Sequence, residues 1–265
     1  MKNAIEKDWI DVHPKAGKRG GAFCSGFGDL NQSRIMLNYG SSYSDVSTLA
    51  HELGHALHSW YSHHNQPYTY AYYKIFVAEV ASTCNEALLN QYLMERAGDD
   101  EEKAYIINNF LDSIKGTIFR QTMFAEFEKI THEKMWNGEA LSAQSICEIY
   151  KDLNKLYFGP DMNVDDFIAM EWARIPHFYR PFYVYQYATG LTAALALSNR
   201  ILTLGEEGVN DYKKFLKGGC SMTPIELLQL AGVDMTTKEP VNAAMAIFND
   251  LLMKLEELTC KNADQ

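Results

Sequence analysis

The chain has 265 residues, is 47% apolar and carries a formal net charge of -10. That length and apolar content suffice for one large core, and the acidity argues against a nucleic-acid partner. No stretch reaches the roughly 18–20 apolar residues that a membrane-spanning helix needs. Cys24, Cys84, Cys147, Cys220 and Cys260 lie far apart with no CxxC pair, an odd and scattered set that reads as free thiols rather than a disulfide framework or a thiolate zinc site. The opening MKNAIEKDWIDVHP has no apolar run, so it is expected to be neither a signal peptide nor an anchor. These features together predict a soluble, cytoplasmic protein with no membrane partner.

Residues 15–30, KAGKRGGAFCSGFGDL, are dense in glycine and predict turns around a short extended segment near Gly21 to Ser25. Arg34 to Tyr39, RIMLNY, alternates and predicts a strand, so a small sheet is expected ahead of the first long helix. Ser44 or Asp45 is expected to cap that helix, which runs to about Ser62. Further helices are predicted over Tyr70 to Ala97, stopping at Gly98, and over Asp100 to Trp136, stopping at Asn137-Gly138. Ser142 begins another that ends before Gly159-Pro160, and Asp165 or Asp166 starts the next, which Ile175-Pro176 interrupts. A helix over Tyr183 to Leu204 follows, then shorter ones near 208–217, 223–231 and 239–259, with Thr223-Pro224 fitting a cap followed by proline at the first helical position. No repeat or linker breaks this pattern, which predicts one mainly α domain, residues 1–265, with a small β-sheet near the N-terminus.

The first long helix carries TLAHELGHALHS, Thr48 to Ser59. A spacing of four puts His51 and His55 on one helix face, where their imidazoles can grip one ion. Glu52 is too close in sequence to join that grip and is suited to deprotonate a metal-bound water. Bound zinc would lower the pKa of that water towards neutrality. From Val46 to Trp60 the only acidic or basic residue besides the histidines is Glu52, so the helix is expected to be buried. A carboxylate buried there is costly without compensation such as a metal. Metzincin spacing for a third ligand lands on Tyr61, that of many aminopeptidases on Lys74, and that of thermolysin on Ile75. The first downstream acid is Glu79, in FVAEVASTCNEALL. Among Val77, Ala78, Val80 and Ala81 it needs a partner: either the two histidines, reached across antiparallel helices, or a half-buried ion pair. Glu86, two turns further along the same face, is placed either to accept a hydrogen bond from the outer nitrogen of a ligand histidine or at the surface. His58, His63 and His64 read as structural or exposed, and His132-Glu133 as solvated helix surface.

A second constellation is RIPHFYRPFYVYQYATG, Arg174 to Gly190, with one histidine and four tyrosines between His177 and Tyr187. Tyrosine hydroxyls and a neutral imidazole can stabilise the oxygen charge that develops when an amide is attacked. On its own the segment reads as aromatic core, since most tyrosines simply pack, and the functional reading gains weight only beside a zinc site.

HELGH at 51–55, FVAEVAST at 76–83 and HFYRPFYVYQYATG at 177–190 together resemble the oligoendopeptidase F group of the M3, thimet-type zinc metallopeptidases. KRGGAF at 18–23 and KGGCSMTPIELLQLAG at 217–232 are also similar to that group. The resemblance implies a zincin-like helical catalytic domain that hydrolyses internal bonds of short peptides. It implies one zinc ion held by His51, His55 and Glu79, with Glu52 as general base and later proton shuttle. It implies that His177 and a tyrosine contact the substrate carbonyl, Tyr185 being the first choice among Tyr183, Tyr185 and Tyr187. It places the substrate backbone along RIMLNY, at Arg34, Met36 and Asn38, with Gly20 and Gly21 allowing close approach. Members of the group carry a large helical N-terminal portion that walls a deep channel. This chain corresponds to the catalytic portion alone, so exposed apolar surface and self-association are expected. Two other readings stand beside the endopeptidase. One is an HExxH metallocarboxypeptidase, which would need Arg174 or Arg180 to clamp the substrate's terminal carboxylate. The other is a zinc- or peptide-binding fragment without turnover.

Overall fold

The computed structural model describes residues 2–27 and 32–263, so residues 28–30 of the glycine-dense stretch lie outside it. By their contacts the residues form two compact units, 1–111 with 190–265, and 112–189.

In the first unit a short helix α1 (Lys2–Glu6) and a two-residue strand β1 (Ile10–Asp11) precede β2 (Phe23–Phe27) and β3 (Gln32–Met36). Neither α1 nor β1 has a sequence long enough to show periodicity. The sheet order is β1-β3-β2, with β1 parallel to β3 and β2 antiparallel to it, Cys24 opposite Ile35 and Ser25 opposite Arg34. The sheet lies beside α2 (Tyr43–Asn65), where Ile35, Leu37, Leu53 and Ala56 share a core with Ala4 and Trp9. A Cβ on Gly26 would sit 2.9 Å from Ser59 Cβ, so β2 needs glycine at that point to reach the helix.

Helix α2 starts two residues earlier than the sequence suggests. Ser42 and Asp45 form a reciprocal capping box: the Ser42 hydroxyl accepts from Asp45 N–H, and the Asp45 carboxylate accepts from Ser42 N–H at 2.9 Å. Helix α3 (Ile75–Arg96) starts later than expected. The tyrosine-rich run before it forms a 3-10 turn at Tyr68–Tyr70, whose Tyr70 carbonyl accepts from Cys220 N–H at 2.9 Å. Asn85 Nδ2 donates to Ala50 O, and Ser59 meets the Tyr73 hydroxyl at 3.0 Å. Positions therefore advance along α2 as they retreat along α3, and the two helices are antiparallel.

After α4 (Asp100–Ile114), the unit is completed by α7 (Tyr185–Leu204, from Gly190 onward), α8 (Glu206–Leu216), α9 (Pro224–Leu230) and α10 (Glu239–Ala263). Thr223 caps α9 through its own box with Glu226, as the Thr223-Pro224 pair predicts. Val77, Val80, Ala81 and Cys84 of α3 pack with Ala193, Ala194, Leu197, Phe215 and Leu228 into the main core.

The second unit holds α5 (Arg120–Trp136), reached through a π-helical turn at Lys115–Phe119, and α6 (Ala143–Phe158), capped by Ser142. Met123, Phe124, Phe127, Tyr150, Leu153, Ile175 and Val184 form its core. Glu171 is buried there, accepting from Arg120 Nη2 at 2.5 Å, from the Tyr150 hydroxyl at 2.7 Å and from Arg174.

The mainly α fold with a small N-terminal sheet beside the HELGH helix is therefore the one expected. The five cysteines are free, and among the described residues no helix is long and apolar enough to cross a membrane.

Candidate metal centre

The facing surfaces of α2 and α3 meet at a glycine. A Cβ on Gly54 would lie 2.5 Å from Ser82 Cα and 2.6 Å from Ala81 O, distances that real side chains do not reach. Gly54 thus lets the two backbones touch, and the touch brings a side chain of α3 up to the histidines of α2. An isolated glycine inside a buried helical pattern is the sequence signal for such a close approach. Gly54→Ala should force the helices apart and destabilise the fold by roughly 1–3 kcal/mol, the range for overpacking. Thermal unfolding of the variant measures this, and an unchanged midpoint would contradict the tight contact.

Three atoms converge at this contact. His51 Nε2 lies 3.2 Å from Glu79 Oε2, His55 Nε2 lies 3.3 Å from the same oxygen, and the two imidazole nitrogens are 3.2 Å apart. Among the described residues this is the one group of three or more histidine, cysteine or carboxylate side chains arranged to hold a metal. Hydrogen bonds alone serve the trio poorly. If both imidazoles donate to Glu79, the two nitrogens are left in contact with no proton between them. A single cation at the centre serves all three. A tetrahedral ion with bonds of about 2.0–2.1 Å holds its ligand atoms about 3.3–3.4 Å apart, so the residues fit a metal.

The electrostatics show the same demand for positive charge. Burial opposes protonation of His51, yet hydrogen bonds to Glu79 and Glu86, with their charges, outweigh it and hold the imidazole at about 10. Burial would raise Glu79, but His51 and His55 hold its carboxyl well below the usual range. Behind the trio, His51 Nδ1 lies 2.7 Å from Glu86 Oε1, and Ser82 Oγ donates to Glu79 Oε2 at 3.0 Å. Ser82 could not be singled out from the sequence, because a serine one turn after an acid carries no distinctive signal.

Glu52 is buried, and its Oε2 has no hydrogen-bond partner. Burial, outweighing the neighbouring histidines, pushes its carboxyl above the ordinary value. His58 is fully buried, stacked on Tyr73 with ring centroids 3.7 Å apart, and burial holds it neutral with a pKa of about 3.

The strand predicted to carry the substrate backbone is the middle one of the sheet. β3 has β1 on one side and β2 on the other, and Ile35, Leu37 and Tyr39 donate their N–H groups to Trp9, Asp11 and Val12 carbonyls. Its backbone is paired with β2 over Gln32–Met36 and with β1 at Ile35 and Met36. The outer edge of β2 carries no strand among the described residues. Arg34 donates to Asp8 O at 2.9 Å. Asn38 donates to the Arg19 and Gly21 carbonyls at 3.0 and 2.9 Å, which pins the glycine turn instead of leaving its amide free. Met36 is half-buried and its sulfur lies 3.8 Å from that amide. Gly21 has φ +90, and a Cβ on Gly20 or Gly21 would meet nothing within 4 Å, so the turn presents bare backbone.

In the second unit, His177 Nε2 lies 3.3 Å from the Tyr187 hydroxyl, and the Tyr183 ring sits 5.9 Å from His177 and 5.5 Å from Tyr187. Tyr183 precedes α7 and Tyr187 lies in its first turn, and the two rings meet edge to face. Tyr185, the first choice from sequence, opens α7 between them and is 41% exposed. His132 differs from the expected solvated surface: it is half-buried, and its ring packs 4.9 Å from Phe182. Of the two arginines that a carboxypeptidase might use, Arg174 is committed to Glu171, and Arg180 lies 5.4 Å over the Tyr183 ring.

An HExxH pair on one helix and a carboxylate on an antiparallel neighbour is the architecture of the HExxH metallopeptidases. Residues 1–247 match the model of peptidase family M3, and the chain belongs to that family, whose members use a metal cofactor. It is 49% identical to oligopeptidase PepF of Bacillus subtilis, over 98% of this chain and 39% of that protein. It is 44% identical to the group B oligopeptidase PepB of Streptococcus agalactiae, over 98% of this chain and 43% of that protein. The crystal structure of oligoendopeptidase-F from Enterococcus faecium superposes with a TM-score of 0.75, at 42% identity over 82% of this chain and 40% of that one. The chain thus spans about two-fifths of the length of the curated relatives it matches.

Proposed function

We propose that this chain is the catalytic portion of a zinc endopeptidase that cleaves internal bonds of short peptides. The observation that carries the reading is the mutual 3.2–3.3 Å spacing of His51 Nε2, His55 Nε2 and Glu79 Oε2. His51, His55 and Glu79 hold the zinc. Glu86 accepts the Nδ1 proton of His51, which leaves the Nε2 lone pair directed at the ion. A zinc ion held there would supply an activated water and a Lewis acid for the scissile carbonyl. Glu52 takes the proton of the attacking water at its unpartnered Oε2 and returns it to the departing amine nitrogen. Tyr183 and Tyr187, with His177, carry donors of the kind that stabilise an oxygen on which negative charge develops, with Tyr185 the remaining candidate. The outer edge of β2 and the bare turn at Gly20-Gly21, with Arg34 and Met36 of β3 and Asn38 just beyond it, accept the extended substrate backbone.

The carboxypeptidase reading loses one of its two cationic clamps, because Arg174 neutralises a buried carboxylate. The binding-fragment reading is separated by turnover. Incubation of the chain with an internally quenched peptide should release internal fragments, cease with chelator and resume with added zinc. Release of single C-terminal residues would favour the carboxypeptidase. Stoichiometric zinc without cleavage would favour the binding fragment.

A further inference from the structure

Phe182 has φ +58, in the left-handed region that a bulky side chain rarely adopts. It immediately precedes Tyr183, and two grips from α5 hold it there. Its N–H donates to Glu128 Oε1 at 2.7 Å, and its ring packs on His132, one turn further along the same helix. Glu128 is 3% exposed. A carboxylate buried against a backbone N–H and a neighbouring histidine is a costly choice for packing alone, which an apolar residue would serve better. On either side the segment is anchored in the same core: Phe178 packs on Phe124 and Phe127, with centroids at 5.5 and 5.1 Å, and Val184 is 1% exposed. The side chains carried between and beside these anchors are His177, Tyr183 and Tyr187, the aromatic cluster described above.

We infer that Glu128 is a positioning residue: its buried carboxylate holds Phe182 in the left-handed conformation and so fixes the direction in which Tyr183, Tyr187 and His177 present their donors. This rests on the reading that those donors meet the substrate carbonyl. Glu128 touches no substrate. It acts through the backbone of Phe182.

The test compares Glu128→Ala, Glu128→Gln and Phe182→Gly, and Glu128→Ala combined with Phe182→Gly, in the zinc-loaded chain. The readouts are kcat and KM on a quenched peptide and hydrogen exchange of the Phe182 amide. Glutamine keeps the acceptor oxygen, so Glu128→Gln should retain kcat and the Phe182 amide protection. Glu128→Ala should lose that protection and lower kcat about 10- to 100-fold, the scale of a displaced catalytic group, with KM little changed. Glycine adopts positive φ unaided, so Glu128→Ala should cost much less kcat in the Phe182→Gly background, where amide exchange at position 182 is also read. Should Glu128→Ala fail to fold, the glutamine variant decides: a folded Glu128→Gln that loses kcat overturns the inference. So does a folded Glu128→Ala with unchanged kcat, or one that loses kcat while the Phe182 amide stays protected. If the wild-type chain cleaves nothing, the peptidase reading fails. The amide exchange still decides whether Glu128 holds Phe182.

Discussion

Replacing Glu52 by glutamine should lower kcat/KM on a quenched peptide by roughly three orders of magnitude, within the ~10²–10⁴ range for a positioned general base, while zinc content stays at that of the wild type. The expectation follows from where Glu52 stands. It shares α2 with His51 and His55, yet it takes no part in the three-atom cluster that they form with Glu79. Its Oε2 is buried and unpartnered, so glutamine fits the same space and removes the charge without breaking a hydrogen bond at that oxygen. The fold should be unharmed, because an amide is less costly to bury than a carboxylate. Metal content by atomic absorption, measured beside kinetics, separates the outcomes. A variant that retains zinc and wild-type turnover would show that Glu52 is not the base.

Glu79→Ala should act one step earlier, on the metal itself. It removes the only charged member of the trio that carries a negative charge, and it leaves two imidazole nitrogens facing each other. Losing a residue that merely supports a ligand, as Glu86 supports His51, typically weakens metal affinity ~10–100-fold. Losing Glu79 should exceed that and leave the chain without zinc after dialysis, with no turnover. Competition titration with a chromophoric chelator measures both variants on one scale. If Glu79→Ala binds zinc as tightly as the wild type, the ligand assignment is wrong, whatever the kinetics show. If it binds zinc less tightly than Glu86→Ala does, the order of effects is as expected.

What was legible in the sequence was whatever left a local pattern. The His51–His55 spacing needs only helical geometry. Glu79 declared itself as an acid among valines and alanines, because such a charge requires a partner. The helices were found from their periodicity, and Ser142 and Thr223 from capping chemistry. The cap at Ser42 lies two or three residues ahead of the expected Ser44 or Asp45, because several capping residues crowd 41–45 and only the reciprocal bond between Ser42 and Asp45 decides among them. Strand order was not legible: whether β2 or β3 is the edge depends on β1, a strand of two residues with no periodicity of its own. The register of the tyrosines was open because Tyr183, Tyr185 and Tyr187 alternate, and the choice between opposite faces depends on where α7 begins. Gly54 leaves a local signal, a glycine inside a buried helical pattern, and Glu128 leaves none, but the partner of neither is legible. Each matters through what packs against it, Ser82 in one case and a left-handed Phe182 in the other, and neither neighbour is adjacent in sequence.

The claim under all of this is that α2 and α3 meet closely enough for two imidazoles and one carboxylate to share an ion. Diffraction from zinc-loaded crystals at the zinc absorption edge tests it most directly. One anomalous peak per chain is predicted, about 2.0–2.1 Å from His51 Nε2, His55 Nε2 and a Glu79 carboxylate oxygen. A folded, zinc-loaded chain with the peak elsewhere, or with the Glu79 side chain turned away from it, would contradict the account.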